Sequence, residues 1–351
     1  MPRSRSKDAP GPGPARAAQA LGSGEATGPV GATDAVGTAD AASAGTLLAA
    51  SPLDALDARV LLCHALGWRR TELITRAHAP LDASAVVEFK RLEARRAAGE
   101  PVAQLVGERE FYGRRFVVTP AVLIPRPDTE LLVELALADI DRRAAASAAV
   151  TAPHRPLRVL DLGTGSGAIA VTIAAERPAV NVVATDRSVE ALAVARANAA
   201  ALLGAGQAAA RLRFPAGDWF DALREASGDT SRVPLDEASD AKVGLKFDLI
   251  VSNPPYIAAA DPHLDAGDLR FEPRGALTDE GDGLGAIRAI AAAAPHWLLA
   301  DGALMIEHGY DQGDAVRRIL GAAGLQTVVT ARDLGDRDRV TCGWRCARAR
   351  T

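Results

Sequence analysis

Apolar positions along this chain follow two different rhythms, and the change between them divides it. From Leu47 to about Gly99 they recur at helical spacing, with Leu53, Leu56, Val60, Leu61 and Leu62 in one segment and Val86, Val87, Phe89 and Leu92 in another. This predicts a small helical domain over residues 47–100, with those positions in its core. Residues 101–126 change character. Two extended stretches between Val102 and Val118, around Gly113, read as a β-hairpin that links the helical domain to the larger, catalytic one. Beyond Pro127, short continuous apolar runs alternate with helical patterns, as buried parallel strands with helical crossovers do. Strands are expected at Arg158–Leu162, Val180–Thr185, Arg211–Ala216, Phe247–Ser252, Ala303–Glu307, Leu325–Thr330 and Val340–Arg345. The fold class is therefore α/β, a doubly wound seven-stranded sheet over residues 127–351. Its first helix opens at Pro127-Asp128-Thr129-Glu130, where an acidic first turn complements the helix dipole.

Residues 1–46 are rich in Ala, Gly and Pro, lack aromatic residues and show no hydrophobic period. They cannot bury enough surface to offset ordering entropy, so a disordered tail is expected. Two further stretches, Arg142–Pro156 and Glu225–Gly244, read as tolerated insertions. A 351-residue chain with 48% hydrophobic content can bury more than one core. Its net charge of −4 supplies no global attraction to phosphate, which argues against a nucleic-acid substrate. Cys63, Cys342 and Cys346 form no even framework and lack neighbouring metal ligands, so no metal is expected and a reducing cytoplasm is the natural compartment. No apolar stretch is long enough for a membrane span.

Two motifs carry candidate chemistry. The strand ending at Leu162 runs into Gly163-Thr164-Gly165-Ser166-Gly167 and then a helix, a turn that lets backbone approach a ligand closely. The next strand ends in Asp186, at the spacing where a carboxylate accepts from ribose hydroxyls. Loop and acid together indicate an adenosine-containing cofactor, and leave NAD and S-adenosylmethionine both open. The second motif, Asn253-Pro254-Pro255-Tyr256, comes directly after the strand Phe247–Ser252. A planar NH2 group is a poor nucleophile and has to be gripped at both hydrogens. The Asn253 side-chain oxygen and the Pro254 carbonyl can accept those hydrogens, the prolines fix the local backbone, and Tyr256 can cover the planar group. A hydride transferase has no use for such a clamp, whereas a methyltransferase does.

These residues resemble the release factor glutamine methyltransferases. The resemblance is carried by Gly99-Glu100-Pro101-Val102-Ala103-Gln104, Arg109-Glu110-Phe111, Leu123-Ile124-Pro125-Arg126-Pro127-Asp128-Thr129-Glu130, Asp161 to Ala170, Gly217-Asp218-Trp219-Phe220, Ser252 to Ile257, Arg270-Phe271-Glu272-Pro273, Glu307-His308-Gly309 and Arg339-Val340-Thr341. It implies a class I methyltransferase sheet whose last strand runs antiparallel, S-adenosyl-L-methionine as cofactor, and the glutamine of the Gly-Gly-Gln loop of class 1 peptide chain release factors as substrate. The helical domain would recognise that partner, acting as a cytoplasmic monomer. By the same resemblance Trp219 packs on the adenine with Asp218 near its amino group, and Glu307 is a candidate for orienting the loops of the site. Asp161 is a candidate for tuning the glycine loop, and Phe116 and Arg126 for lining the entrance. Adenine-N6 methylation of DNA or RNA uses the same tetrapeptide and is the alternative reading; a nonenzymatic cofactor-binding module is a third.

Overall fold

The computed structural model describes residues 42–148, 155–226 and 245–346. Most of the expected tail, and the parts of the two insertions at 149–154 and 227–244, lie outside the described residues. The first helix, α1 (Ala44–Ala50), begins before the expected start at Leu47, because Ser43 caps it: its hydroxyl accepts from the Thr46 N–H, and the Thr46 side chain accepts from the Ser43 N–H. Four more helices complete the small domain: α2 (Ala55–Leu66), α3 (Arg70–Thr75), α4 (Ala83–Ala97) and α5 (Val102–Val106).

Leu47, Leu61, Leu62, Leu73, Phe89, Leu92 and Leu105 close around one core in this domain. Leu56 and Val87, expected in that core, instead face solvent at 53% and 69% exposure. Each lies well away from the inward stripe, two positions from Ala58 and Phe89, and two residues turn a helix through about 200°. Val102–Val106 was expected to be extended and is helical. Pro101 stands at its N-cap, and its apolar side chains pack on the helical core.

The hairpin itself is β1 (Glu108–Phe111) and β2 (Arg114–Val117), paired antiparallel. Tyr112 and Gly113 turn it with φ of 51° and 71°, the two positive angles that a tight two-residue hairpin needs. Phe111 and Phe116 meet edge to face at 6.0 Å and are buried in the core of the large domain. Phe116 is thus a packing residue and lines no entrance.

The large domain opens with a 3-10 turn, Pro127–Thr129, that runs into α6 (Glu130–Ala148). Its sheet contains β3 (Arg158–Leu162), β4 (Asn181–Thr185), β5 (Leu212–Arg213), β6 (Phe247–Ser252), β7 (Leu298–Glu307), β8 (Gln326–Arg332) and β9 (Asp338–Trp344). The strand order is β5-β4-β3-β6-β7-β9-β8, with β9 antiparallel to both neighbours. The third expected strand, Arg211–Ala216, shrinks to two residues. Arg211 closes the preceding helix, and Pro215 has no N–H for a ladder at this sheet edge. On one face of the sheet Val159, Val182, Val251 and Met305 pack together; on the other are Leu160, Val183, Ile250 and Leu304.

The sheet order reverses between β3 and β6, so their carboxyl ends open side by side into the crevice where doubly wound folds bind ligands. The helix α7 (Ala168–Glu176) comes after β3, and α8 (Val189–Leu203) after β4. Among the described residues no single helix is long and apolar enough to cross a membrane.

One segment joins helical domain, linker and catalytic loops. Asp268 accepts from Arg96, which also pairs with Asp57 at 2.7 Å; Arg270 donates to the Ala98 carbonyl, and the Phe271 carbonyl accepts from Gln104. Glu272, with a fully buried side chain, accepts from the Ile124 N–H at 2.8 Å and pairs with Arg126. Arg126 is therefore committed to this ion pair. Glu272→Ala strands a guanidinium and a backbone N–H together, so urea unfolding should show a loss of about 3 kcal/mol, toward the low end for broken buried pairs because Arg126 stays partly wet. A loss under about 1 kcal/mol, the scale of an exposed pair, would contradict this assignment.

Candidate functional site

At the end of β3 the chain turns sharply through the glycine loop. The N–H groups of Gly163 and Thr164 both donate to the Thr185 carbonyl of β4, at 2.9 Å each. Asp161 is fully buried beneath the loop, where its carboxylate accepts from the Thr164 hydroxyl at 2.6 Å. Burial pushes its pKa up to about 7, against the hydrogen bonds from Thr164 and the Ala170 N–H. Asp161 does therefore brace the loop. Gly165 has a φ of 54°, open to glycine at little cost, and its N–H reaches out to the Asp186 carboxylate at 2.9 Å. The other Asp186 oxygen accepts from the Ser188 N–H at 2.9 Å. These two bonds fix the carboxylate at the mouth of β4.

Gly163, Gly165, Asp186, Asp218, Trp219, Asn253 and Pro255 all line one cavity of about 750 Å³. Thr164, Ser166 and Gly167 frame the loop from behind and are buried outside that wall, with the Ser166 carbonyl taken by Asn198 at 2.9 Å. Trp219 holds a φ of 44°, a left-handed angle uncommon for a bulky residue, and its ring stands so near Gly163 that a methyl group there would lie 3.3 Å from it. Any side chain at 163 would press on the indole.

Asn253 emerges from β6 half-buried in the same wall, and its Nδ2 donates to the Thr129 hydroxyl at 3.0 Å. Pro254 is buried and Tyr256 lies behind the wall, against the hydrophobic core. The Tyr256 hydroxyl stands 3.5 Å from Glu307 Oε1, and burial beside that carboxyl pushes the phenol's pKa well up. In this structure Tyr256 thus shapes the clamp from beneath instead of covering the cavity. Gln312 donates to its carbonyl at 3.0 Å, which anchors the end of the tetrapeptide. Glu307 is fully buried, and burial pushes its pKa up to about 7 against the nearby Thr129 hydroxyl, Arg339 and Tyr256.

The sequence motifs left part of the wall unread. Glu190, Ala276, Asp279, Glu280 and Ala286 line the cavity as well. Asp279 organises its loop by accepting from the N–H groups of Gly281, Gly283 and Gly285. The available signal was the Asp- and Gly-rich run Asp279–Gly285, a turn composition that points to backbone organised by carboxylates. Among the described residues the cavity's lining includes five carboxylates, on Asp186, Glu190, Asp218, Asp279 and Glu280, the last of them paired with Arg274 at 2.7 Å, and one guanidinium, Arg187. Such a wall favours a cationic ligand over a polyanionic one. No group of three His, Cys, Asp or Glu among the described residues is placed to hold a metal ion.

Comparison with known proteins accords with this geometry. A family model described as the PrmC N-terminal domain matches residues 42–107, and one described as a methyltransferase domain matches residues 153–277. A release factor glutamine methyltransferase from Burkholderia pseudomallei (strain K96243) is 56% identical over 302 residues, covering 86% of this chain and 96% of the relative. The chain belongs to the release factor glutamine methyltransferases. A second relative of the same name, from Bordetella pertussis (strain Tohama I), is 49% identical and covers 85% of this chain and 97% of its own length. A third, from Xylella fastidiosa (strain Temecula1), is 47% identical, with 86% and 97% covered. The N-terminal match ends at residue 107, so the family's helical domain includes α5, as the packing of Leu105 does here.

Proposed function

We propose that this chain methylates the side-chain amide nitrogen (N5) of the glutamine in the Gly-Gly-Gln motif of class 1 peptide chain release factors, with S-adenosyl-L-methionine as methyl donor and Asn253 as the residue that aims the amide. The observation that carries the reading is the placement of Asn253. Its NH2 is held by Thr129 while its Oδ1 stays available in the wall of a cavity that the glycine loop and Asp186 also line.

The cavity fits the cofactor. Backbone of the glycine loop can lie against it, Asp186 can accept from ribose hydroxyls, Trp219 offers a face to the adenine and Asp218 an acceptor near its amino group. The acidic wall favours a sulfonium and an α-amino group and opposes the pyrophosphate of NAD. S-adenosylmethionine supplies an electrophilic methyl group on a good leaving group. The protein's own task is alignment: Asn253 Oδ1 and the Pro254 carbonyl accept the two amide hydrogens, directing the nitrogen lone pair at the methyl carbon and favouring the positive charge that moves onto nitrogen. As the nitrogen–methyl bond would form and the sulfur–methyl bond break, the neutral thioether would leave. The cationic nitrogen would give up one of its protons, acidic enough for water to take, so a strong base is not required.

The helical domain suits a protein partner better than a nucleic acid. Glu72, Glu88, Glu93 and Glu100 pair with Arg76, Arg91, Lys90 and Arg95, so much of its basic charge is matched internally, which weakens any attraction to phosphates. In this reading the domain and the hairpin contact the factor away from the reacting amide, and the enzyme acts as a cytoplasmic monomer. Methyl transfer from labelled cofactor tests it. A free Gly-Gly-Gln peptide should show kcat/KM at least about tenfold below that of the whole factor, because binding energy remote from the chemistry is lost. Duplex DNA at physiological salt should neither accept methyl groups nor compete. Label on adenine, with none on the factor, would contradict the reading.

A further inference from the structure

The clamp's second acceptor, the Pro254 carbonyl, belongs to a stretch that cannot tie itself down. Pro254 and Pro255 have no N–H, so neither can be fixed by a backbone donor bond of its own. The stretch is held from its ends instead. At the near end Ser252 is registered in β6 against Leu162 and Ile306, and its hydroxyl donates to the Leu162 carbonyl at 2.8 Å. At the far end the peptide that joins Tyr256 to Ile257 is gripped on both sides. Its N–H donates to the Leu277 carbonyl at 2.9 Å, and its carbonyl accepts from Gln312 Nε2 at 3.0 Å.

The Gln312 amide serves two further groups. Its Nε2 also reaches the Gly283 carbonyl at 3.3 Å, and its Oε1 accepts from the Gly309 N–H at 2.8 Å. A carbonyl can only accept and an N–H can only donate, so these partners fix which way the amide points. One side chain thereby joins the exit of the clamp, the turn 279–285 in the cavity wall and the turn that follows β7. Its own backbone is set by regular structure, because it stands just before the helix Gly313–Ala322 and its carbonyl accepts from the Val316 N–H at 2.9 Å. Gly283 packs against the same peptide from the other side. It holds a φ of 76°, and a methyl group there would collide with the Tyr256 carbonyl oxygen.

We propose that Gln312 is a positioning residue for methyl transfer: it fixes the peptide at the exit of the clamp and so sets where the Pro254 carbonyl meets the target amide. This rests on the reading of Asn253 and Pro254 as the clamp. The prolines make the coupling direct. Their φ angles are locked, so a shift of the Tyr256 carbonyl is passed back along the backbone to Pro254 and is not absorbed on the way. The cofactor side of the cavity is held separately, by the bonds of Gly163 and Thr164 to the Thr185 carbonyl and of Asp186 to the N–H groups of Gly165 and Ser188. Loss of the Gln312 contact should therefore fall on the acceptor amide and spare the cofactor.

The test compares the native full chain with Gln312→Glu, Gln312→Leu, Gly283→Ala and Asn253→Ala, using a class 1 release factor and labelled S-adenosylmethionine. Gln312→Glu is the decisive variant. It keeps the acceptor for the Gly309 N–H and puts a negative charge just ahead of a helix, where it is favourable, so folding should be retained. It also presents a carboxylate oxygen to the Tyr256 and Gly283 carbonyls, which cannot donate to it. Its kcat should fall about tenfold, short of the roughly hundredfold that a misplacement of about 1 Å can cost. The KM for the factor, the melting temperature and the S-adenosylmethionine affinity by calorimetry should stay near native. Gln312→Leu should lose kcat to a similar extent, and Gly283→Ala, which displaces the same carbonyl from the other side, should lower it as well. A merely structural role in the turn after β7 predicts a different split, with Gln312→Leu impaired and Gln312→Glu native. Native kcat in Gln312→Glu or in Gly283→Ala, or a loss carried by KM or cofactor affinity with kcat unchanged, would each overturn the proposal. If Asn253→Ala loses turnover while Gln312→Glu does not, the positioning role alone fails; if Asn253→Ala keeps turnover, the clamp fails and the proposal with it.

Discussion

Asn253→Ala is expected to lower kcat for release factor methylation by about two to three orders of magnitude, the cost of removing one preorganised polar contact from a developing charge. Cofactor affinity and folding should hardly change. The side chain is only half-buried, and its one side-chain hydrogen bond among the described residues goes to the Thr129 hydroxyl. The loss should fall on kcat more than on KM. The amide N–H groups become better donors as nitrogen takes up positive charge, so their bond to Oδ1 strengthens in the transition state and is weaker in the ground state. Single-turnover kinetics with saturating factor would measure it. Turnover within about twofold of native would remove Asn253 from the chemistry, since that is far below the loss such contacts produce.

Asp186→Ala should weaken S-adenosylmethionine binding by about 1 to 3 kcal/mol, roughly fivefold to 150-fold in Kd. Two losses combine in that variant. The ribose hydroxyls lose an acceptor, and the Gly165 N–H loses the partner that holds the glycine loop at 2.9 Å. Isothermal calorimetry decides it. An unchanged Kd, or tight NAD binding by the native protein, would show that the carboxylate and the acidic wall around it have been misread.

The sheet and the two chemical motifs were legible because they are local. A continuous apolar run such as Phe247–Ser252 announces a buried strand, and the residues just after it must lie at the sheet's carboxyl edge. The same logic placed Gly163, Gly165 and Asp186 in one crevice with Asn253. Where the sequence misled, non-local packing decided. Val102–Val106 has branched residues that suit a strand, yet it becomes a helix because Leu105 completes the helical core. Leu56 and Val87 are apolar but point away from that core. The polypeptide between Arg211 and Ala216 looks like a strand, yet only Leu212 and Arg213 form one, at the sheet edge, with a single further bridge from Ala216 to Asp186. Thr129 lies within the Ile124-to-Glu130 run that marks the family, but nothing local says that its hydroxyl meets a residue 124 positions away. That pairing exists only after the sheet has brought β6 and β7 beside the 3-10 turn.

Mass spectrometry of the Gly-Gly-Gln peptide, taken from a class 1 release factor after incubation with this protein and methyl-labelled S-adenosylmethionine, tests the central claim most directly. The expected result is a single labelled methyl group on the glutamine side-chain nitrogen, absent when Asn253→Ala replaces the native protein over the same short incubation. An unlabelled glutamine, or label on another residue of the factor, would contradict it.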